Sequence, residues 1–278
     1  MTNSTITTTP SSSTTSSSSS IETKTVAQWR IPISKIIVVL PAFNEEENIG
    51  KLIESIDESL HNINQNFEII VVDDGSKDHT IDVVNSYNKL IPITLIKHEI
   101  NQGLGGTIRD GLKHAASICH ERDIVVAMDA DNTHPAGLMV QMIRKIREGV
   151  DVVIASRYQK GSRTIGVPWN RRPLSTLASI LFRIIFPIHG VKDYTCGYRA
   201  YRGHILRRAF NEFGNTFVSE TGFQCMVDIL FKLRKFDIIF DEVPMILRYD
   251  HKRGLSKMKI TKTIKDTLKL ALKRYFNP

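Results

Sequence analysis

A regular alternation between short apolar runs and longer helical segments constrains the fold of this chain more than any other feature. Between residues 35 and 158, five runs rich in Val and Ile are each bounded by polar or turn residues, a pattern typical of buried strands. The predicted strands are Ile36–Leu40, Ile69–Val72, Ile93–Ile96, Ile124–Met128 and Val152–Ala155. The predicted helices between them are Glu45–Leu60, Thr80–Asn88, Gly105–Ile118 and Pro135–Glu148. Strands that alternate with helices predict parallel β/α units and an open, twisted α/β sheet.

The pattern changes on both sides of this region. Sixteen of the first 20 residues are Ser or Thr, and because such a tract cannot bury a core, residues 1–30 are predicted to be a disordered tail. After residue 158 we predict an apolar helix at Leu174–Ile188, a helix near Glu220–Leu233 and a strand near Ile238–Leu247. Residues 251–278 have the spacing of a basic amphipathic helix. We therefore expect one domain over residues 31–250, with residues 31–158 as its first half and 159–250 as its second.

Composition excludes several classes of protein. With 41% hydrophobic and 24% charged residues, the chain has ordinary globular proportions. Its three cysteines are scattered, which argues against a disulfide scaffold or a zinc site and for a reducing compartment. No uncharged apolar run approaches the ~18–20 residues that cross a bilayer. Residues 1–20 lack the basic start and apolar block of a secretory signal.

The positive charge is concentrated at the C-terminal end. Residues 248–278 carry 10 Lys or Arg and two Asp, a difference of +8, which equals the formal charge of the whole chain. A basic end on a neutral body indicates an anionic partner such as lipid headgroups, phosphates or nucleic acid. A solvated basic helix explains the charge equally well.

Polar segments follow all five predicted strands, at the sheet edge where α/β proteins bind ligands. They begin at Pro41, Asp73, Asn101, Asp129 and Ser156. One polar strand end is usually a helix cap. Five in succession, which carry acids, glycines and an arginine, indicate a binding site.

The acidic pairs among these segments indicate the chemistry. Asp129 and Asp131 are two residues apart, so that in an extended segment both carboxylates can meet one cation. Carboxylates suit Mg²⁺ or Mn²⁺, which commonly bridges to substrate phosphates and would neutralise a departing diphosphate. Asp73 and Asp74 stand where a carboxylate can accept hydrogen bonds from a nucleoside. Gly105 and its neighbouring glycines allow either backbone contact with phosphate or close helix–sheet packing.

Taken together, these segments resemble family 2 glycosyltransferases of the GT-A (Rossmann-like) nucleotide-sugar-binding fold. The likeness runs from about residue 35 to about residue 259 and is strongest to polyprenyl-phosphate glycosyltransferases, especially dolichyl-phosphate mannosyltransferases. The segments that carry it are PAFNEEENI (41–49), VVDDGSKD (71–78), NQGLGGTIRDGL (101–112), MDADNTHP (128–135), SRY (156–158), DYTCGYRAYR (193–202) and RGLSK (253–257). The last two resemble the acceptor half of the polyprenyl-phosphate branch. One departure is Thr133, which stands where the family often has a Gln metal ligand.

The resemblance implies a role for each candidate residue. The nucleotide-diphosphate sugar, GDP-mannose or UDP-glucose, would contact Pro41, Ala42, Glu45, Asp73, Asp74, Gly105, Asp129 and Arg157. Asp129 and Asp131 would bind Mg²⁺ or Mn²⁺, and Asp131, Asp193 and Arg199 form the expected catalytic set. The acceptor phosphate would be held by Arg171, Arg172, Arg199, Arg253 and Lys257, since guanidinium groups match phosphate oxygens. Asp193 would orient one of these arginines or cap a loop.

The implied reaction moves a hexose, with mannose favoured, to a polyprenyl or dolichyl phosphate with inversion of configuration. Because the lipid tail stays in the bilayer, we expect a peripheral enzyme at the cytoplasmic face of a membrane. The apolar helix and the basic C-terminal helix are its candidate contacts, with a membrane-embedded partner protein as a further option. We expect no nucleic-acid partner, because no aromatic stacking motif accompanies the basic end.

Three other functions stay open at this point. A family 2 enzyme could use UDP-glucose or an acceptor other than a polyprenyl phosphate. The segment VVAMDADNT (125–133) also fits the start of a DxDxT phosphohydrolase, although here the acids follow the fourth strand and no convincing later Lys and acidic pair completes that site. A non-catalytic binding protein on a transferase scaffold is the third reading.

Overall fold

The structure is a computed structural model that describes residues 34–166, 179–180 and 182–251. The expected tail over residues 1–30 lies outside this range. So do residues 252–278 of the expected basic helix and most of the N-terminal part of the expected helix Leu174–Ile188.

A seven-stranded, mostly parallel sheet forms the centre of the fold. Its strands are β1 (Ile36–Ala42), β2 (Phe67–Asp73), β3 (Ile93–Lys97), β4 (Ile124–Ala127), β5 (Val152–Ser156), β7 (Arg199–Arg202) and β8 (Phe240–Pro244), in the spatial order β3-β2-β1-β4-β7-β5-β8. Only β7 runs antiparallel to its neighbours. The strands β6 (Arg163–Ile165) and β9 (Ile246–Arg248) form a separate parallel pair. All five predicted strands are therefore confirmed, with small shifts at their ends.

Helices cover both faces of this sheet, which explains why its strands are apolar along their whole length. The helices are α1 (Ile49–His61), α2 (Thr80–Tyr87), α3 (Gly103–Ile118), α4 (Leu138–Arg147), α5 (Gly203–Phe213) and α6 (Cys225–Leu233). Helix α1 packs against α2 and α4, whereas α3 packs on β1 and β2 and against α5. Every residue of Ile36–Leu40 is fully buried between these layers.

The second half differs from the sequence prediction in four places. The polar stretch 193–202 ends in β7, a central strand that was not predicted because its sequence, RAYR, lacks the Val/Ile pattern. Helix α5 was also not predicted. The helix expected near Glu220–Leu233 begins only at Cys225, and the strand expected near Ile238–Leu247 is divided into β8 and β9.

Gly111 allows α3 to lie close to the sheet. A Cβ atom at this position would lie 2.5 Å from Val39 Cγ1 and 3.0 Å from Val72 Cγ2. Both contacts are shorter than packed carbon atoms tolerate, so a larger residue would push α3 away from β1 and β2.

We predict that Gly111→Ala lowers the free energy of unfolding by about 1–3 kcal/mol through overpacking. Helix propensity alone would predict that the free energy of unfolding rises by about 1 kcal/mol. The sign of the change therefore separates overpacking from helix propensity. Urea denaturation measures it. Gly137→Ala is the matched control, because a Cβ there would meet only Ser59 Oγ, at 4.0 Å; equal stability of the two variants would contradict the prediction.

Candidate active site

A cleft of about 320 Å³ opens at the carboxyl ends of β1 and β4. Its lining residues come from four of the five polar segments and from the helix that one of these segments begins. One further side chain comes from the second half of the domain. The lining residues are Pro41, Ala42, Phe43, Glu45, Asp74, Asn101, Gly103, Leu104, Thr107, Asp129, Ala130, Asp131 and Phe223. The structure therefore brings together Pro41, Ala42, Glu45, Asp74, Asp129 and Asp131, six of the residues that the resemblance assigns to the donor or the metal.

Hydrogen bonds to the segment after β2 fix the wall that follows β1. Asn44 has a left-handed backbone, with φ of +50°, which asparagine tolerates better than most residues. Its N–H donates to Ser76 Oγ at 2.8 Å, and its Oδ1 accepts the N–H of Lys77 at 2.8 Å. The N–H of Glu45 donates to Thr80 Oγ1 at 2.8 Å. These bonds hold the turn after Ala42 in the shape that lines the cleft.

The two aspartates after β2 have different surroundings. Asp74 is 2% exposed, and its carboxylate accepts the N–H groups of Gln102 at 2.8 Å and Gly103 at 2.9 Å. His98 Nδ1 lies 2.8 Å from the same carboxylate. Asp74 therefore binds the first residues of α3 as well as lining the cleft.

Asp73 is buried as well, at 1% exposure. Its Oδ2 accepts the N–H of Ser76 at 3.0 Å, whereas for Oδ1 the described residues provide no hydrogen-bond partner. A buried carboxylate oxygen normally has a donor. Unlike Asp74, Asp73 is not among the described residues that line the cleft.

Gly105 has a packing role in place of the expected phosphate contact. Its N–H donates to Thr221 O at 2.8 Å, and a Cβ atom on it would lie only 1.7 Å from Glu220 O. Because this N–H already has a partner, it is not directed at a ligand. The missing side chain instead lets the 220–221 segment approach α3, which brings Phe223 of the second half to the cleft.

The turn that contains Asp129 and Asp131 directly follows β4. Asn132 is left-handed, with φ of +58°, so that the chain folds back and Thr133 donates to Asp131 Oδ1. On the other side of the turn, a Cβ atom on Gly197 would lie 3.2 Å from Asp129 Oδ1, so glycine leaves room for this carboxylate. The N–H of Asp129 donates to His134 Nδ1 at 3.3 Å, and the His134 ring stacks on Tyr198.

The donor chemistry of this turn fits a divalent ion that is shared with a diphosphate. Within the described part of the chain, no group of three or more His, Cys, Asp or Glu side chains is placed to hold a metal ion. Asp129 and Asp131 supply hard oxygen donors on the cleft. Mg²⁺ is typically bound by one or two carboxylates together with substrate phosphates, which is the arrangement that these residues permit.

Arg157 forms a bidentate ion pair with Asp193. Its Nε lies 2.8 Å from Asp193 Oδ2 and its Nη2 lies 2.7 Å from Oδ1, while Nη2 also donates to Thr195 Oγ1 at 2.6 Å. Burial would raise the pKa of Asp193, but the charge and hydrogen bonds of Arg157 outweigh it, and the net pKa lies below the ordinary value. Asp193 thus orients Arg157, and Arg157 is not among the described residues that line the cleft.

Asp193 is itself held by Glu242 of β8. Glu242 Oε1 accepts the backbone N–H groups of Lys192 and Asp193, each at 2.6 Å. Burial raises the pKa of Glu242. The Arg157 side chain is therefore held by Asp193, which is held in turn by Glu242 on strand β8.

The position of Arg199 corrects the expectation that it contacts the acceptor phosphate. The side chain is fully buried, at 0% exposure. It donates from Nε to Cys196 O at 2.9 Å, from Nη1 to Met226 O at 2.7 Å and from Nη2 to Tyr194 O at 2.9 Å. A guanidinium that is enclosed and bonded in this way joins segments of the second half and does not reach a substrate.

The cysteines have no catalytic role. Cys119, Cys196 and Cys225 are all free and buried, which confirms that they do not form a disulfide scaffold. Burial raises the pKa of Cys196 and Cys225 to about 12 and that of Cys119 to about 11. Because the thiolate is the reactive form, these thiols are inert near neutral pH.

The remaining acceptor candidates, Arg171, Arg172, Arg253 and Lys257, lie outside the described residues. The structure also adds cleft residues that the sequence did not single out, namely Phe43, Leu104, Thr107 and Phe223. Phe43, Leu104 and Thr107 lie inside quoted motifs, so a search extended from the acids and glycines to every residue of these motifs would have found them. Phe223 depends on a contact between the two halves of the domain and has no local signal.

Comparisons with known proteins show which family the chain belongs to. A sequence profile described as "Glycosyl transferase family 2" matches residues 37–212, which is more than half of the chain. The chain belongs to glycosyl transferase family 2. Its seven-stranded sheet and cleft correspond to the GT-A fold expected for this family.

Two curated relatives within the family have names that specify a reaction. "Dolichol-phosphate mannosyltransferase" of Pyrococcus furiosus is 32% identical over 81% of this chain, and the chain spans 59% of that relative's length. "Polyprenol monophosphomannose synthase" of Mycolicibacterium smegmatis is 27% identical over 82% of each chain. Both names refer to mannose and to a polyprenol-type lipid that carries a phosphate.

Solved structures match the fold. Glucosyl-3-phosphoglycerate synthase from Mycobacterium tuberculosis, crystallised with Mn²⁺, UDP and phosphoglyceric acid, superposes with a TM-score of 0.61 at 21% identity. The match covers 88% of this chain and 80% of that one. At this identity the likeness concerns the fold alone.

We predict that Arg199→Lys lowers the free energy of unfolding by at least about 3 kcal/mol, because an ammonium group cannot satisfy three buried carbonyl groups in their present directions. Thermal unfolding followed by circular dichroism measures the loss. Arg144→Lys is the matched control, since the Arg144 side chain is 73% exposed. An Arg199→Lys protein with wild-type stability and a selective loss of acceptor binding would restore the catalytic role.

Proposed function

We propose that this chain transfers a hexose, with mannose favoured, from a nucleotide-diphosphate sugar to the phosphate of a polyprenyl or dolichyl lipid. The observation that carries the proposal is the similarity, over about four-fifths of the chain, to relatives named for mannose and polyprenol phosphates. The cleft agrees with it, because it combines a nucleoside-sized opening with two carboxylates at the sheet edge. Family membership makes the DxDxT phosphohydrolase a poor alternative.

The donor would bind along the cleft with its base and ribose toward Pro41, Ala42, Glu45 and the two aspartates after β2. Asp129 and Asp131 would hold Mg²⁺ or Mn²⁺ against the diphosphate. When bound there, the ion would neutralise the charge that develops on the leaving group. The protein's own contribution is to fix both carboxylates on the short turn between β4 and α4.

The acceptor phosphate is already anionic near neutral pH, so it needs orientation and charge compensation more than a strong base. We assign this task to Arg157 with Arg171, Arg172, Arg253 and Lys257. Arg157 follows β5 and Asp129 follows β4, with β7 between these strands, so that two strand spacings or roughly 10 Å separate the two residues. Because Arg157 is also not among the described residues that line the cleft, we assign it to the acceptor in place of the nucleotide. Direct attack on the anomeric carbon would invert configuration.

The lipid acceptor requires contact with a membrane surface, and we place the enzyme at the cytoplasmic face, a location that the three free thiols support. Among residues 34–166, 179–180 and 182–251, no helix combines the length and apolar content that a membrane crossing requires. Ile180 and Ile184, one helical turn apart, are 43% and 74% exposed. These side chains and the basic residues of 252–278 would contact lipid, alone or with a membrane-embedded partner protein.

A panel of nucleotide sugars tests the reaction. Purified full-length protein incubated with polyprenyl phosphate and Mn²⁺ or Mg²⁺ should form a lipid-linked sugar with GDP-mannose, scored by mass spectrometry. UDP-glucose and 3-phosphoglycerate are included as the alternative donor and acceptor. Asp131→Asn should reduce transfer by at least about 100-fold, because a metal ligand is lost. Transfer that is unchanged by this substitution, or product formed only with the alternative pair, would refute the proposal.

Vesicle binding tests the membrane contact. The full chain should co-sediment with anionic liposomes at low salt, and Ile184→Glu should reduce the bound fraction by several-fold, because a charge replaces an apolar side chain at the lipid surface. Leu90→Glu is the matched control, since Leu90 is 85% exposed in the loop before β3. An equal effect of both substitutions would mean that Ile184 is not a contact with the lipid.

A further inference from the structure

Thr133 is a buried residue beside the cleft. It is not one of the candidate site residues, and the proposed reaction gives it no role. It lies two positions after Asp131 and is 3% exposed. Because Asp131 lines the cleft, the contacts of this short hydroxyl side chain bear on how that carboxylate is held.

The Thr133 side chain bonds directly to the carboxylate of Asp131. Its Oγ1 donates to Asp131 Oδ1 at 2.7 Å, and its backbone N–H donates to the same oxygen at 3.2 Å. Two donors from one residue on one oxygen define both the position and the rotation of the carboxylate. The Asp131 side chain is therefore oriented by Thr133 before any ligand enters the cleft.

Thr133 is in turn held by its own surroundings. Its carbonyl oxygen accepts the N–H of Arg248 in β9 at 3.0 Å. Strand β9 is paired with β6, so this bond ties the turn after β4 to a second sheet. A β-branched side chain also has few χ1 rotamers, which keeps the hydroxyl directed at the carboxylate.

We propose that Thr133 is a positioning residue for the divalent ion, which holds the Asp131 carboxylate in the orientation that the ion requires. The inference rests on the proposed function, because it assumes that Asp131 binds the metal. It differs from a ligand role, since the Thr133 hydroxyl acts through Asp131. Outer-sphere hydrogen bonds to metal-binding carboxylates typically change metal affinity or activity by 10–100-fold.

The test is a titration of the full-length protein with Mn²⁺, in which free Mn²⁺ is measured by electron paramagnetic resonance, alone and then with GDP or UDP. Thr133→Val removes the hydroxyl at nearly constant shape, and we expect it to raise the Mn²⁺ dissociation constant about 10-fold. Thr133→Ser keeps the hydroxyl and should restore most of the affinity. Thr133→Ala serves as a second hydroxyl-free variant in case the valine protein does not fold.

Thr94→Val is the matched control. The Thr94 hydroxyl donates to Glu68 Oε1 at 2.8 Å between β2 and β3, so this variant also loses a bond from threonine to a carboxylate, but away from the cleft. It should bind Mn²⁺ like the wild type. In the transfer assay, Thr133→Val should raise the Mn²⁺ concentration for half-maximal rate about 10-fold, with kcat at saturating Mn²⁺ within about 2-fold of wild type.

The outcomes separate this inference from the proposed function. If Asp131→Asn abolishes Mn²⁺ binding and the hydroxyl-free variants bind normally, the positioning role is wrong and the metal site stands. If Asp131→Asn binds Mn²⁺ like the wild type, the metal site itself is wrong, and the positioning role fails with it. An affinity loss in Thr94→Val equal to that in Thr133→Val would also overturn the inference, because the effect would then be general destabilisation.

Discussion

The second half of the domain depends on one buried guanidinium, that of Arg199. This side chain donates to two carbonyl groups of the preceding 194–196 segment and to a third, that of Met226, on helix α6. It also begins β7, the antiparallel strand between β4 and β5. Because a buried charge without partners costs several kcal/mol, the segment that supplies these carbonyls has little freedom to move. That segment carries Asp193, which holds Arg157, and Gly197, which leaves room for Asp129.

A second set of buried polar contacts joins the two halves at the start of α3. Asp74 binds the first N–H groups of the helix, and Gly105 binds the backbone of the 220–221 segment. The N-terminal groups of a helix are a common phosphate site. Here oxygen atoms of the protein itself accept hydrogen bonds from several of these N–H groups. The start of α3 therefore serves to position Phe223 beside the aspartates of the cleft. The cleft is therefore a product of both halves, although most of its polar residues come from the first.

The sequence predicts the first half well and the second half poorly, for a physical reason. Parallel strands buried on both faces must be apolar throughout, and this rule gave β1 to β5 and the cleft acids that follow them. Strand β7 breaks the rule, because Arg199 is buried by hydrogen bonds to carbonyls and not by its own hydrophobicity. Because arginine commonly binds phosphate, the sequence suggested that Arg199 contacts a ligand. In the structure, its N–H donors bind backbone carbonyl groups of the protein instead. Contacts such as those of Gly105 and Phe223 join distant segments and leave no periodic signal.

The state of Asp193 bears on which reactions this site can support. A general base must be exposed to the acceptor and must accept a proton near neutral pH. Asp193 is fully buried, is paired with Arg157 through both oxygens and has a pKa below its usual value, so it meets neither condition. The free thiols are protonated and enclosed. A hydroxyl acceptor would therefore need its base from one of the carboxylates that line the cleft, such as Glu45 or Asp131, whereas a phosphate acceptor that is already ionised needs none.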